Sequence, residues 1–523
     1  MKFIGIHIGH DAAIARFNEQ GELDFYAPCE RYAPRLKMQG LTLSPITDAF
    51  PDFAIEEDDC VTLVISNNET RSPCEYDPRL VQTCQVSVSL KDHGCNPNFV
   101  IDHHFAHAVC SWCFRPNDKE RLFLCYDGSG PSLIGQPKAS IAGVFNKNEA
   151  KFLEHTPIPS SVCLFNILGG NSAGKAMGMS GYRPNAPQFV NEKYISKLLR
   201  ISMNWQEGTM GTPRTEIQSD EDMDFVASFY NFVIEDIWKN IKRNIDELAN
   251  GRGVVIGGGT SLALEINSRI FEITKDVVFA PPTNDTGLAI GAAAFSYYHH
   301  KKKWPYLNTP SLVSLDKPLE ARGPQTPQGI AELIAGDRVV GLLRDKSEAG
   351  PRALGYRSIL ADARNPNNLH RVSQKIKGRE FYRPLAPMVT SEQFSRFFVG
   401  PVGEYMQYKV QCTETAKKEL PAIVHTDESA RPQVVFKDKD PWLHEMLVHY
   451  GKLTGHECVI NTSLNKAGKP ICNTYEDAAE DFPTDLEIVC LPSRKTNTGP
   501  VVKQAMSTKP VPFQLQFKEH KML

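Results

Sequence analysis

Two rhythms of apolar residues run along this chain. The opening "KFIGIHIGHDAAIARF" reads as an apolar strand, a tight glycine turn and a returning strand, which "GELDFYAPCERY" continues as an antiparallel meander. A mixed sheet is the expected outcome. Further apolar strands at "CVTLVIS", "RLFLCYDGSG" and "GVVIGGG" alternate with helical stretches, above all "DFVASFYNFVIEDIWKNIKRNIDELAN", whose apolar positions recur at three and four. The first part of the chain is therefore expected to be α/β. Later, "RVVGLLRD", "PQVVFKD" and "ECVINTSLN" read as strands of another unit. Between the two, "TPSLVSLDKPLEARGPQTPQ" follows neither rhythm and is rich in proline, as linkers are. The expected organisation is a unit at 1–307, a linker at 308–328, a unit at 329–492 and a tail at 493–523. No internal repeat is evident.

Composition sharpens this picture in a few places. At 523 residues the chain exceeds the size at which one core stops growing, so two folded units are natural. A net charge of −3 supplies no general attraction to nucleic acid or membrane. The tail differs, with six Lys or Arg against one acid, and Phe513 and Phe517 interleave with Lys503, Lys509 and Lys518 as in single-strand binders. A solvated tail has the same composition. Thirteen scattered cysteines and an opening without a cationic, apolar signal segment suggest a reduced, cytoplasmic protein. Cys110 and Cys113 form a CxxC without a second pair at zinc spacing, and beside Trp112 they read as core packing. No eighteen-residue apolar run predicts a bilayer span.

Chemistry concentrates in a few blocks. In "IDHHFAHAVCSW", a helix would set His103 and His107 one turn apart on one face, a spacing suited to a single metal ion or to two hydrogen-bonded core histidines. Asp127 at the glycine turn of "LCYDGSGP" and Asp285 before the small-residue helix of "PPTNDTGLAIGAAAF" would turn the pair into a mixed nitrogen and oxygen site. Glycine turns recur at "IGHDAA", "DGSG" and "IGGGTSLALE", where backbone N–H groups can approach phosphates. The Walker-like spacing of "GGNSAGKAMG" lacks the hydroxyl residue that holds magnesium, because Ala176 follows Lys175. Gly174 and Lys175 are instead expected at the border of a cleft.

Together the blocks "GHDAA", "ERYAPRLK", "HHFAHA", "GKAMGMSGY" and "NDTGLAIGAA" resemble the ATP-dependent O-carbamoyltransferases that include the nodulation, tobramycin and cephamycin enzymes. The resemblance runs to about Pro492. It implies an actin-like ATPase-superfamily domain of two sheet-and-helix lobes, followed by a YrdC-like twisted-sheet domain, and a homodimer is compatible with it. The first domain is also similar to threonylcarbamoyl-transferring enzymes, which implies iron held by His103, His107, Asp127 and Asp285. The same resemblance makes His10 the general base toward the acceptor hydroxyl and Lys37 a neutraliser of phosphate or carbamoyl oxygen. It also implies nucleotide contacts at Gly128, Gly258, Gly259 and Asn267. Here the chain departs from the family pattern, with Ala263 standing where a first asparagine is common.

The succession "SEAGPRALGYRSILADARN", "KIKGREFYRPLAPMV", "HTDESARPQV" and "VINTSLNKAGKPI" resembles the YrdC-like domain of the same family. That domain condenses carbamate, released from carbamoyl phosphate, with the α-phosphate of ATP. By residue matching, Arg352, Lys377 and Arg383 hold carbamoyl phosphate, Ser463 and Asn465 touch the nucleotide or carbamoyl group, and His425 and Arg431 are lesser candidates. Fe2+ at the transfer site and Mg2+ with ATP are implied. The acceptor stays open between a small-molecule hydroxyl and a hydroxymethylated pyrimidine of DNA or a nucleotide. A nucleotide-clamping, actin-like regulatory ATPase is the alternative reading.

Overall fold

The opening meander forms as the alternation predicts: β1 (Phe3–Ile8), β2 (Ala13–Phe17) and β3 (Leu23–Pro28) pair antiparallel in the computed structural model. The structure describes residues 1–8, 11–32, 44–56, 58–65, 81–83, 98–130, 138–158, 173–188, 219–484 and 486–492. With β4 (Cys60–Ile65), β5 (Val81–Thr83) and β6 (Phe99–Ile101) the sheet runs β3-β2-β1-β4-β6-β5, and β1, β4 and β6 are parallel.

A second sheet repeats this plan. β7 (Arg121–Gly130), β8 (Lys138–Phe145) and β9 (Ala150–Leu153) make another meander, and β10 (Gly253–Gly257) and β11 (Val277–Phe279) add parallel beside β7. Its order, β9-β8-β7-β10-β11, matches β3-β2-β1-β4-β6 strand for strand. The expectation of no internal repeat is thus corrected for topology. The copies share strand order and direction rather than residues, so comparison of letters misses them.

Two helices, His103–Cys113 and Leu288–Lys301, join the lobes. Asp102 caps the first by accepting from the backbone N–H groups of His104 and Phe105 at 2.9 and 3.2 Å, which fixes His103 in its opening turn. Backbones pack very closely here. A Cβ on Gly5 of β1 would run into the Ala289 carbonyl, and one on Gly291 into that of Ala106. Those two glycines let Leu288–Lys301 lie flat on β1 and against His103–Cys113, within one apolar core that contains Phe3, Phe123, Trp112 and Val255.

The span expected as a linker is partly structured. Leu312 and Val313 are buried, and β12 (Ser311–Val313) pairs antiparallel with β14 (Ser347–Glu348), which follows β13 (Val340–Arg344). Just beyond β12, Ser314 N donates to Tyr26 O of β3 at 2.8 Å. The third large sheet adds β15 (Arg357–Asp362) and β16 (Ala386–Thr390). A small antiparallel sheet of β17 (Phe398–Val399), β18 (Val410–Cys412) and β19 (Ser429–Ala430) comes next. With β20 (Gln433–Val435), β21 (Cys458–Ser463) and β22 (Glu487–Leu491), the large sheet has the order β20-β16-β21-β15-β13-β22. Helices Pro327–Ala335 and Pro441–Thr454 cover one face through Ile330, Ile334, Leu443, Leu447 and Tyr450. The fold is mixed α/β throughout. Among the described residues no helix is long and apolar enough to cross a membrane.

Candidate active site

The helix cap, the end of β7 and the turn before Leu288 bring four side chains to one point. His103 Nε2 and His107 Nε2 lie 3.2 Å apart, and 3.0 and 3.2 Å from Asp127 Oδ2. Asp285 Oδ1 is 3.3 Å from His107 Nε2 and 3.7 Å from His103 Nε2. The ligand atoms of all four residues fall within 4.8 Å of one another. Four lone-pair atoms converging in a buried place require a shared cation, either a proton or a metal. Burial acts to lower the His107 pKa, but Asp127 and Asp285 outweigh it and push it up to about 9. Burial likewise opposes ionisation of Asp127, whose bonds to His103 and His107 hold it well below the usual carboxylate range. Two imidazoles with two carboxylates are a fitting set for iron or another borderline transition metal.

Strand β1 sends a residue here that the sequence reading missed. His7 is wholly buried, and burial lowers its pKa to about 4 while Asp285 pulls the other way, so a neutral imidazole stands beside the centre. A polar residue inside the apolar run "FIGIHI" was the available signal.

The glycine turn after β10 closes onto Asp127. Gly258 adopts φ +91°, a Cβ there would strike the Tyr126 carbonyl, and Gly259 N donates to Asp127 Oδ1 at 3.0 Å. Gly128 follows Asp127 within β7. Asn267, expected as a nucleotide contact, is fully buried, and its Nδ2 donates to the carbonyls of Ser261 and Gln407 at 2.7 and 2.9 Å. It therefore ties the first lobe pair to the segment before β18.

A second constellation lines a cleft between the halves of the chain. Arg352, Arg379, Arg383, Arg431 and Ser463 form one wall, and Gly174, Met177, Gly178 and Gly181 of helix Ala173–Tyr182 form the other. Burial and the nearby Arg383 lower Arg352 to about 10, and burial with neighbouring arginines drives Arg379 and Arg431 well below the ordinary arginine value. Nε of both Arg352 and Arg431 is buried without a hydrogen-bond partner among the described residues. Carboxylates are near as well: Glu380 lies 2.5 Å from Lys175 Nζ and 3.6 Å from Arg383 Nη1, and Glu265 and Asp427, both paired with Lys409, line the same cleft. Mutually repelling guanidinium groups with unsatisfied donors make a place for a polyanion.

Lys377 stands behind this wall and does not face the cleft. Its buried Nζ donates to Asn465 O and Oδ1 at 2.6 and 2.9 Å and to both oxygens of Ser463, so it shapes the loop that presents Ser463. Asn465 accepts from Ser463 Oγ at 2.6 Å. His425 sits at the rim, its Nε2 2.9 Å from Gly178 O. Sequence reasoning missed Arg379, whose Nη2 lies 3.3 Å from Ser463 Oγ, although it stands two residues from Lys377 in the same block. His10, Lys37 and the basic tail lie outside the described residues. Cys110 and Cys113 are both buried in the core, as expected.

Known proteins carry the same sequence pattern. Residues 132–294 match the carbamoyltransferase N-terminus and residues 331–495 the carbamoyltransferase C-terminus. Nodulation protein NolNO of Sinorhizobium fredii is 28% identical over 433 residues, covering 74% of this chain and 62% of that protein. Nodulation protein U of Rhizobium tropici is 34% identical over 267 residues, covering 49% of this chain and 45% of the other. Among solved structures, full-length HypF in its phosphate- and nucleotide-bound form overlaps 56% of this chain and 55% of its own, at 14% identity and a TM-score of 0.30. Sua5 of P. abyssi overlaps 31% of this chain and 48% of its own, at 18% identity and a TM-score of 0.22. With family matches to both halves and relatives aligned across most of its length, this chain belongs to the carbamoyltransferase family.

Proposed function

We propose that this chain makes carbamoyl-adenylate in the arginine cleft and passes the carbamoyl group to an acceptor hydroxyl at the histidine–aspartate centre. The arginine cleft carries the proposal. Carbamoyl phosphate and ATP are both polyanions, and four guanidinium groups, two of them (Arg352 and Arg431) with an unsatisfied Nε donor, offset their repulsion as they meet. Water cleaves carbamoyl phosphate to carbamate and phosphate, the carbamate oxygen attacks the α-phosphorus of ATP, and pyrophosphate leaves; magnesium bound with ATP would supply charge neutralisation. In the second step the acceptor oxygen attacks the carbamoyl carbon and AMP departs.

His10 takes the acceptor proton in this reading, and Lys37 neutralises a phosphate or carbamoyl oxygen. A transition-metal ion, iron by family resemblance, held by His103, His107, Asp127 and Asp285 would supply Lewis-acid stabilisation of the leaving phosphate. His7 stays neutral beside them and adds no competing positive charge. The acceptor is a small-molecule hydroxyl or, as a second possibility supported by the tail's charge, a hydroxymethyl group on DNA.

Arg352→Ala tests the division of labour. It is expected to abolish carbamoyl-phosphate-dependent pyrophosphate release while still carbamoylating the acceptor when synthetic carbamoyl-adenylate is supplied. Failure of added adenylate to rescue a folded Arg352→Ala protein would refute the two-site scheme. ATP hydrolysis to ADP that ignores carbamoyl phosphate would favour the nucleotide-clamping ATPase instead.

A further inference from the structure

The block "ERYAPRLK" contributes Arg31 as well as Lys37. Arg31 ends the short turn Cys29–Arg31 after β3, and its wholly buried side chain reaches across to the other half of the chain. Nη1 donates to Ser347 Oγ at 3.1 Å, and Nη2 donates to Glu348 O at 3.1 Å and Gly350 O at 3.2 Å. The segment it grips leads directly to Arg352.

That segment is tied from inside as well. Glu348, wholly buried, accepts from Leu354 N at 2.7 Å and Arg357 N at 3.3 Å through Oε1, and from Ser347 Oγ at 3.2 Å through Oε2. Gln433 and Asn461 donate to the carbonyls of Leu354 and Ala353 at 2.9 and 3.0 Å. On the outer side Gly350, at φ +89°, lies so close to Pro281 that a Cβ would strike the Pro281 carbonyl. Residues 347–354 are therefore fixed at both ends, with Arg352 between the anchors.

Such bracing has an electrostatic reason. Arg352 shares its wall with Arg379, Arg383 and Arg431, and like charges gathered on one wall repel one another. A loop held only by its own backbone would yield to that force. Arg31 resists it with three bonds to buried acceptors, each costly to leave unmet.

We infer that Arg31 is a positioning residue for the arginine cleft, holding loop 347–354 so that Arg352 stays aimed at the bound phosphate although Arg31 belongs to the half carrying the histidine–aspartate centre. The inference rests on the polyanion reading of the cleft. It predicts that two residues in different halves act on one ligand as a unit.

The test measures binding of inorganic pyrophosphate to the full chain by calorimetry, which requires no turnover. Arg31→Gln, shown folded by circular dichroism and thermal melting, should weaken pyrophosphate by about tenfold, as expected for losing charge-assisted bonds to buried acceptors. Arg31→Gln combined with Arg352→Ala should bind no more weakly than Arg352→Ala alone, because the brace has nothing left to hold. Additive losses, or wild-type affinity in Arg31→Gln, would overturn the inference. If Arg31→Gln does not fold, Ser347→Ala removes one of the three bonds and should show a smaller loss with the same non-additivity; wild-type affinity there would count equally against the idea. Absence of pyrophosphate binding in the unaltered protein would overturn the cleft reading and this inference together. Normal binding without carbamoyl-phosphate-dependent turnover would refute the proposed reaction and leave the role of Arg31 standing.

Discussion

At the scale of residues, the histidine–aspartate centre behaves as a cation trap whose occupant changes with pH. Without metal, His107 has a folded pKa of about 9 against an ordinary 6.5, so its protonated form stabilises the fold fully below about 6.5. That contribution is lost as pH rises through 9. A bound metal ion displaces the proton and should remove the dependence. Chelator-treated protein is thus expected to melt at progressively lower temperature from pH 6.5 to 9, while metal-replete protein stays nearly level; a flat profile for the chelated form would mean that the carboxylates do not hold the proton. Asp285→Ala should bind less than the roughly one transition-metal ion per chain expected of four ligands, measurable by elemental analysis, and lose acceptor carbamoylation. His103 and His107 were legible from their spacing because helical geometry alone puts i and i+4 on one face. The tie that Asn267 makes between two remote segments was not, because an asparagine that bonds distant carbonyls looks like any other as a letter. Arg379 and His7 left local marks, a place in the Lys377 block and a polar residue within an apolar strand, but loop and strand packing decides which site each one reaches.

Among elements, helix Ala173–Tyr182 decides the shape of the arginine cleft. Gly174, Gly178 and Gly181 recur at four and three along it, so one helical face lacks side chains where it meets the cleft. The nearest atom to a Cβ on Gly178 is Tyr382 O at 3.7 Å, an ordinary contact, so Gly178→Ala should fold normally and gain slightly from helix propensity. Gly178→Leu should fold too, but its larger side chain fills space that the nucleotide needs. ATP affinity measured by calorimetry is expected to fall about tenfold or more for Gly178→Leu, in line with the cost of overpacking, and to change little for Gly178→Ala. Unaltered ATP affinity in Gly178→Leu would show that the nucleotide does not occupy this side of the cleft. The sequence marked this helix through its glycines, yet its partner wall lies some two hundred residues away in the chain. The same remoteness hid the duplicated lobes, whose equivalence lies in strand order, and the β12 strand inside a proline-rich stretch, which forms because Leu312 and Val313 find a buried place beside β3 and β14.

For the whole molecule, the proposed division into two reaction centres has a consequence that single variants cannot reveal. The halves are joined by polar ties, including Arg31 to Ser347 Oγ and the carbonyls of Glu348 and Gly350, Asn267 to the Gln407 carbonyl, and Lys409 to Glu265 at 3.6 Å. These contacts favour a fixed relation between cleft and centre, and carbamoyl-adenylate is a mixed anhydride that water destroys, so passage within one chain should outrun release to solvent. In the proposed reaction the intermediate is nevertheless a free molecule rather than an adduct on the protein. Mixing Arg352→Ala, which lacks activation, with Asp285→Ala, which lacks transfer, should therefore restore acceptor carbamoylation, but to a small fraction of that given by the same amount of unaltered protein. Adding more of the Arg352→Ala partner should raise this fraction, because it then captures adenylate before hydrolysis does. Full restoration at equal amounts would show that the intermediate travels through bulk solvent and that the ties between halves have no part in its transfer. No restoration at any ratio, with both variants folded and Arg352→Ala active on synthetic adenylate, would show that the intermediate never leaves the chain that made it.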